Sequence, residues 1–141
     1  MAEFEREKQM PADAERVFDV AADVEHLDRW LPDMVSVHPS GTQAVDVDVH
    51  RPEGEQHGTG TLGVHRDQLR MEWGRRGSAD YAGWLQVAHA GSGRSSVTLH
   101  LSFLGDQPES HGGDAAAGIE RRLDDALDRL AALVAASTTL F

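Results

Sequence analysis

After residue 103 the apolar residues of this chain change their spacing from every second residue to every third or fourth, and this change constrains the fold most. Between Met34 and Phe103, apolar and polar residues alternate in several short segments, most clearly from Val97 to Phe103. From Ala115 to Ser137 the apolar residues recur at helical spacing instead. Alternation is typical of strands with one buried face, and the later pattern of an amphipathic helix. The sequence therefore predicts an antiparallel sheet followed by a long helix that packs on it.

A strand and two short helices are predicted ahead of these segments. Phe4 to Met10 alternates weakly, which suits a strand at a sheet edge or a strand with one well-solvated face. Asp13 and Asp23 are candidate N-caps for two short helices, the second of which ends at Pro32. The order of elements predicts an α+β fold in one domain over residues 1–141: a curved antiparallel sheet wrapped around the C-terminal helix, with two short helices after the first strand.

The charge balance limits the partners of this chain. Its 141 residues include 24 acidic and 13 basic side chains, a formal net charge of −11. Such a field repels nucleic acids and anionic membranes, and the few cations are scattered along the sequence. No stretch approaches the ~18 apolar residues of a membrane-spanning helix. We therefore expect a cytoplasmic protein that binds no nucleic acid and does not insert into a membrane.

The sequence offers no recognisable cofactor, metal or nucleophile motif. There is no cysteine, and the eight histidines lack the spacing of a zinc or other metal site. Asp46 and Asp48 alternate with valines, which indicates a solvated strand face rather than an acid/base pair. Residues 59–63 lack the lysine of a phosphate-binding loop, and no Gly-x-Ser-x-Gly elbow occurs. We therefore expect neither a metal nor a cofactor.

Large aromatic residues and methionines concentrate where the sheet and the short helices would meet the long helix. They are either plain core or the walls of a ligand pocket, and Gly83 would leave space on the inner face. The strand Tyr81 to His89 has two possible registers, since Trp84 can point inward or outward. The candidate ligand-binding residues are Trp30, Met34, Met71, Trp73, Arg75, Tyr81, Leu85, Phe103, Leu123 and Leu127, with Arg75 and Tyr81 orienting a polar group.

Two segments carry a family resemblance. The run from Pro11 to Pro32, with its Val17-Phe18 pair and its Trp30-Leu31-Pro32 end, resembles the START-like, or SRPBCC, superfamily, in particular the bacterial polyketide cyclase/dehydrase branch. Arg94 to Leu99 is similar to the turn and last strand of that family. The resemblance implies a helix-grip fold over the whole chain. Leu31 stands where many relatives carry a polar or aromatic residue, and no set of cyclase catalytic residues matches, so none is assigned.

Three functional hypotheses follow. The first is a protein that binds a small hydrophobic or aromatic molecule between the sheet and the C-terminal helix. The second is a polyketide aromatase/cyclase that acts by positioning and proton transfer, for which Arg75, Tyr81 and His89 are the candidate polar groups. The third is a protein-binding module like the co-chaperone relatives, using the outer sheet face or the acidic helix face. Either a monomer or a homodimer is compatible with the sequence.

Overall fold

The computed structural model describes the backbone of residues 2–31, 35–39, 44–51, 54–75, 81–103 and 113–138. Side chains are described for residues 3–23, 26, 27, 29–31, 60–74, 82–102 and 118–136. The strands are β1 Ala2–Met10, β2 Val35–Pro39, β3 Ala44–Arg51, β4 Gly54–His65, β5 Arg70–Arg75, β6 Tyr81–His89 and β7 Ser95–Phe103. The helices are α1 Ala14–Ala21 and α2 Gly113–Thr138, with 3-10 helices at Val24–Arg29 and Arg66–Gln68.

The strands form one antiparallel sheet in the order β1-β7-β6-β5-β4-β3-β2. From β2 to β7 each strand pairs with the next one along the chain, and β1 joins the far side of β7. Gly91 and Gly93 adopt positive φ angles of 111° and 70° in the β6–β7 hairpin, where a residue with a Cβ would be strained. The first strand lies at the edge of the sheet, which is one of the two placements that its pattern allows.

Helix α2 packs on this sheet and on α1. It contacts β1, β7 and α1. Its buried apolar residues recur at helical spacing, as the sequence predicts: Ile119, Leu123, Ala126, Leu127, Leu130 and Val134. The α+β helix-grip architecture is thereby confirmed. Among the described residues, no helix is both long and apolar enough to cross a membrane.

Part of the acidic face of α2 is paired with cations of β1. Arg6 Nη2 on β1 lies 2.6 Å from Glu120 Oε2, and Arg6 Nε lies 3.5 Å from Asp124 Oδ1. Lys8 Nζ on β1 lies 3.0 Å from Asp128 Oδ1. Three carboxylates of this helix therefore face the cations of the edge strand.

The second short helix is a 3-10 helix. The carboxylate of Asp23 makes no capping hydrogen bond, and its Oδ2 lies 2.7 Å from His26 Nδ1 instead. The backbone of His26 is non-helical, with φ −128°. The N–H of Trp30 donates to the carbonyl of Leu27 at 3.3 Å, a three-residue spacing that belongs to the tighter helix.

Asp13 precedes α1 without capping it through its side chain. Its backbone carbonyl accepts from the N–H of Val17 at 3.0 Å, while its Oδ1 accepts from the N–H of Gly93 at 2.8 Å. The aspartate that was expected to stabilise the helix end therefore ties α1 to the β6–β7 hairpin.

Candidate functional site

The inner face of the sheet carries one row of apolar side chains that is completely covered. Met71 pairs with Leu85, and Leu85 with Leu99, so the three lie side by side across β5, β6 and β7. Each is at most 1% exposed. We call these three residues the sealed row. Because these side chains are fully buried, they lie beneath any ligand-binding space under α2 and expose no surface of their own to it.

The next row along the strands is less completely covered. Leu62 pairs with Trp73, Trp73 with Gly83, and Gly83 with Leu101. We call these four residues the inner strip. Leu62 and Leu101 are each 8% exposed, and Trp73 is half-buried. Val64 lies on the same face as Leu62 but pairs with Met71, so it continues the sealed row into β4, where it is 39% exposed.

Trp73 and Gly83 fit each other across the β5–β6 pair. A Cβ added to Gly83 would come within 2.6–2.7 Å of indole atoms of Trp73. The space that a glycine leaves at this position is therefore occupied by the ring of Trp73. This tryptophan forms the aromatic surface of the inner strip.

The remaining candidate residues fall into two groups. Trp30, Leu123 and Leu127 lie in the hydrophobic core together with the sealed row. Beyond the inner strip, the backbone of Arg75 pairs with that of Gly60, and Tyr81 with Phe103, which continues the strip by one row. The side chains of Arg75, Tyr81 and Phe103, and the whole of Met34, lie outside the described residues.

Trp84 lies on the outer face of the sheet. Its ring stacks on the imidazole of His100, with centroids 5.0 Å apart and planes 4° apart, and the guanidinium carbon of Arg70 lies 4.6 Å from its centroid. The same strand turns Leu85 and Val87 into the core. The inward register of Trp84 that the sequence left open is therefore wrong.

His89 is remote from the inner strip. It ends β6 at the opposite end from Tyr81, its side chain is 67% exposed, and its Nε2 lies 3.5 Å from Glu15 Oε1. Arg75 and Tyr81 occupy the other end of the sheet in register with the strip. The structure therefore does not bring His89 together with the other two candidate polar residues.

A separate cleft opens between α1, the first 3-10 helix and α2. Its volume is about 230 Å³. The lining combines apolar and charged or titratable side chains, namely Val20, Leu133, Arg16, Asp19, Asp23, His26 and Arg29. Since most of these side chains are polar, the cleft is less suited to an apolar molecule than the inner strip is.

Leu62, Val64 and Leu101 were not among the candidates from the sequence. Both Leu62 and Val64 show the alternation of an inward strand face, but alternation does not say which residues lie opposite Trp73. Once β4 is taken to pair with β5 through the short connection Arg66–Gln68, Leu62 falls opposite Trp73. Strand register is the signal that finds these residues.

Comparisons with known proteins agree on one architecture. The family model described as "Polyketide cyclase / dehydrase and lipid transport" matches residues 1–135. No curated protein sequence matches the chain. Solved structures do: TTHA0849 of Thermus thermophilus superposes with a TM-score of 0.76 at 20% identity, over 96% of this chain and 99% of that one.

Two further matches are named for their activity. The Zhui aromatase/cyclase of Streptomyces sp. R1128 has a TM-score of 0.71 and 17% identity, over 94% of this chain and 93% of that one. The di-domain aromatase/cyclase StfQ of the steffimycin pathway has a TM-score of 0.70 and 18% identity, over 93% of this chain and 44% of that one. At these identities the structures show a shared fold. The family-model match over residues 1–135 establishes that the chain belongs to the polyketide cyclase/dehydrase and lipid transport family.

Proposed function

We propose that this protein binds a small apolar or aromatic molecule between the inner face of its sheet and α2, with the inner strip as the contact surface. The observation that carries the proposal is the difference in solvent exposure between two neighbouring rows of side chains on the inner face of the sheet. The sealed row is at most 1% exposed, whereas Leu62 and Leu101 are each 8% exposed and Trp73 is half-buried. Covering apolar surface is favourable by roughly 25 cal/mol per Å², so an apolar molecule gains free energy by seating there.

The sequence-derived candidates take different parts in this proposal. Trp30, Met71, Leu85, Leu123 and Leu127 form the packed floor and sides of the site. Trp73 supplies a flat aromatic wall, on which a ring stacks favourably. Met34 and Phe103 extend the apolar surface, and Arg75 and Tyr81 orient a polar group of the ligand at the end of the strip.

The described residues of the inner face favour binding over catalysis, because the inner strip includes no titratable side chain. Leu62, Trp73, Gly83 and Leu101 carry no titratable group, and His89 is remote from them. General acid–base catalysis requires a group within hydrogen-bond reach of the proton that it moves. A cyclase reaction at this site would therefore depend on Arg75 and Tyr81 as its polar groups, with Arg75 orienting the substrate and Tyr81 exchanging protons.

The test is a titration with the neutral fluorescent probe N-phenyl-1-naphthylamine. We expect saturable enhancement of probe emission, together with quenching of tryptophan emission by energy transfer. Replacing Trp73 by Phe removes about 50 Å² of contact, worth roughly 1.3 kcal/mol, so we expect about tenfold weaker binding. Trp84→Phe is the matched control, because that ring lies on the outer face and its loss leaves the dissociation constant unchanged.

Two results would contradict the proposal. One is the absence of saturable binding to the unaltered protein. The other is an equal loss of affinity in Trp73→Phe and Trp84→Phe, which would place the probe elsewhere or make its binding nonspecific. Circular dichroism of both variants checks that each keeps its fold.

A further inference from the structure

The cleft between α1, the first 3-10 helix and α2 is separate from the inner strip. Its volume is about 230 Å³, and none of the residues that line it belongs to the sheet. Arg16, Asp19 and Val20 lie three and four residues apart, so they share one side of α1, while Val17 and Phe18 turn into the core. A molecule in this cleft would therefore occupy a different place from one on the inner strip.

Val20 and Leu133 form the apolar part of the cleft. Both side chains are partly buried and pack against the hydrophobic core. They offer an apolar surface to a molecule that enters between α1 and α2. The volume suits a small organic molecule, since pockets for drug-sized ligands measure about 300–1,000 Å³.

The charged groups of the lining differ in whether the protein itself engages them. Asp19 forms an ion pair with Arg66, and Asp23 Oδ2 lies 2.7 Å from His26 Nδ1. Arg29 is exposed, and no acceptor faces its guanidinium among the side chains that the structure describes. The cleft therefore presents a cation that a bound anion can engage.

The chemistry of the lining defines the anion. The parallel N–H donors of a guanidinium match the two oxygens of a carboxylate or phosphate. Arg16 adds a second positive charge to the same lining, whereas Asp19 and Asp23 repel negative charge. A singly charged group is therefore favoured over a dianion, and a carboxylate joined to a small apolar group suits both parts of the cleft.

We infer that this cleft is a second binding site, for a small organic acid whose carboxylate accepts hydrogen bonds from Arg29 and whose apolar part contacts Val20 and Leu133. The inference is independent of the proposed function, because the cleft and the inner strip share no residue.

4-Fluorobenzoate and 4-fluorobenzamide test the inference, because they have nearly the same shape and differ in charge. Their dissociation constants are measured from the fluorine NMR signal of each compound. A hydrogen-bonded ion pair makes the acid bind about tenfold tighter than the amide. In Arg29→Gln this ratio falls to about one, and since Arg29 is exposed, its replacement leaves the core intact.

Arg121→Gln is the matched control. It removes one positive charge from the protein, as Arg29→Gln does, and it also replaces an exposed side chain. Residue 121 lies about 18 Å from Leu133 along the axis of α2, so the substitution leaves the cleft unchanged. We expect the preference for the acid to remain about tenfold in this variant.

Backbone amide resonances locate the bound acid. 4-Fluorobenzoate is expected to shift those of Val20, His26 and Leu133 and to leave those of Trp73 and Leu101 in place. Shifts centred on Trp73 and Leu101 would instead put the acid on the inner strip and overturn the inference.

Three further results would also overturn it. The first is the absence of saturable binding of 4-fluorobenzoate. The second is an equal loss of preference in Arg29→Gln and Arg121→Gln, which would assign the effect to the overall charge of the protein. The third is stronger competition by inorganic phosphate than by unlabelled benzoate, which would contradict a site for a singly charged organic acid. Each of these results leaves the proposed function standing.

Discussion

At the scale of single residues, Trp73 and Gly83 fit closely against each other. The two face each other across β5 and β6, and the indole lies where a side chain on residue 83 would project. From the sequence, a glycine between inward-facing residues indicates room for a ligand. Here the room is taken by an aromatic ring from the adjacent strand, so the glycine positions the wall of the site rather than leaving a hole in it.

Gly83→Ala tests this fit. The added methyl group would lie 2.6–2.7 Å from rigid ring atoms, so Trp73 or the backbone must shift. Overpacking of this kind costs about 1–3 kcal/mol of unfolding free energy, which urea denaturation measures. Gly63→Ala on β4 is the control: its Cβ would meet only the far end of the His65 side chain, at 3.2 Å. Equal stability of the two variants would contradict the proposed clash.

At the scale of elements, α2 is held on the sheet edge by both apolar packing and charge. Glu120, Asp124 and Asp128 are spaced four residues apart along one stripe of the helix, opposite Arg6 and Lys8 of β1. The cations also suit β1 as an edge strand, since charged residues discourage pairing with another chain. The acidity of the helix thus has a local partner in addition to its effect on net charge.

Asp128→Asn is expected to lower stability slightly, and Asp125→Asn is expected not to. Both substitutions change the net charge from −11 to −10, so the relief of overall repulsion is matched. Asp128 faces Lys8 Nζ at 3.0 Å, and both side chains are at least 40% exposed. Such a pair is worth at most about 0.5 kcal/mol. The difference between the variants in urea denaturation shrinks in 1 M salt; a difference that persists there contradicts an electrostatic origin.

The sequence predicts an element well where neighbouring residues along the chain determine it, and poorly where contacts with distant strands do. The helical period of Ile119, Leu123 and Leu127 is local, so α2 is predicted nearly to its ends. The orientation of Trp84 is not local: both faces of β6 carry apolar residues, and the choice depends on His100 and Arg70 from neighbouring strands. The same holds for the inner strip, which exists only through strand register.

At the scale of the whole molecule, the two ends of the sheet differ in how completely other parts of the chain cover its inner face. At the end near α1, the β6–β7 hairpin is hydrogen-bonded to Asp13. Arg66 forms an ion pair with Asp19 there, and its guanidinium carbon lies 5.5 Å from the ring centroid of Phe18. Val87 and Val97 at that end are at most 2% exposed. The inner strip lies toward the opposite end, where cover is less complete. Stability is therefore expected to be uneven along each strand.

Hydrogen exchange along β6 tests this expectation, because one strand passes through both regions. Residues 85–87 lie in or beyond the sealed row and are expected to exchange only through global unfolding, whereas residues 82–84 border the inner strip and open locally at lower free energy. Saturating N-phenyl-1-naphthylamine, at about 100 times its dissociation constant, stabilises the bound state by about 2.7 kcal/mol. Residues 85–87 gain this full amount, because global unfolding releases the ligand, and residues 82–84 gain a comparable amount because the local opening at the inner strip releases it as well. Uniform protection along β6 without ligand would contradict the difference in closure. A rise at 85–87 with none at 82–84 would mean that the local opening leaves the ligand bound, and it would contradict a ligand seated on the inner strip.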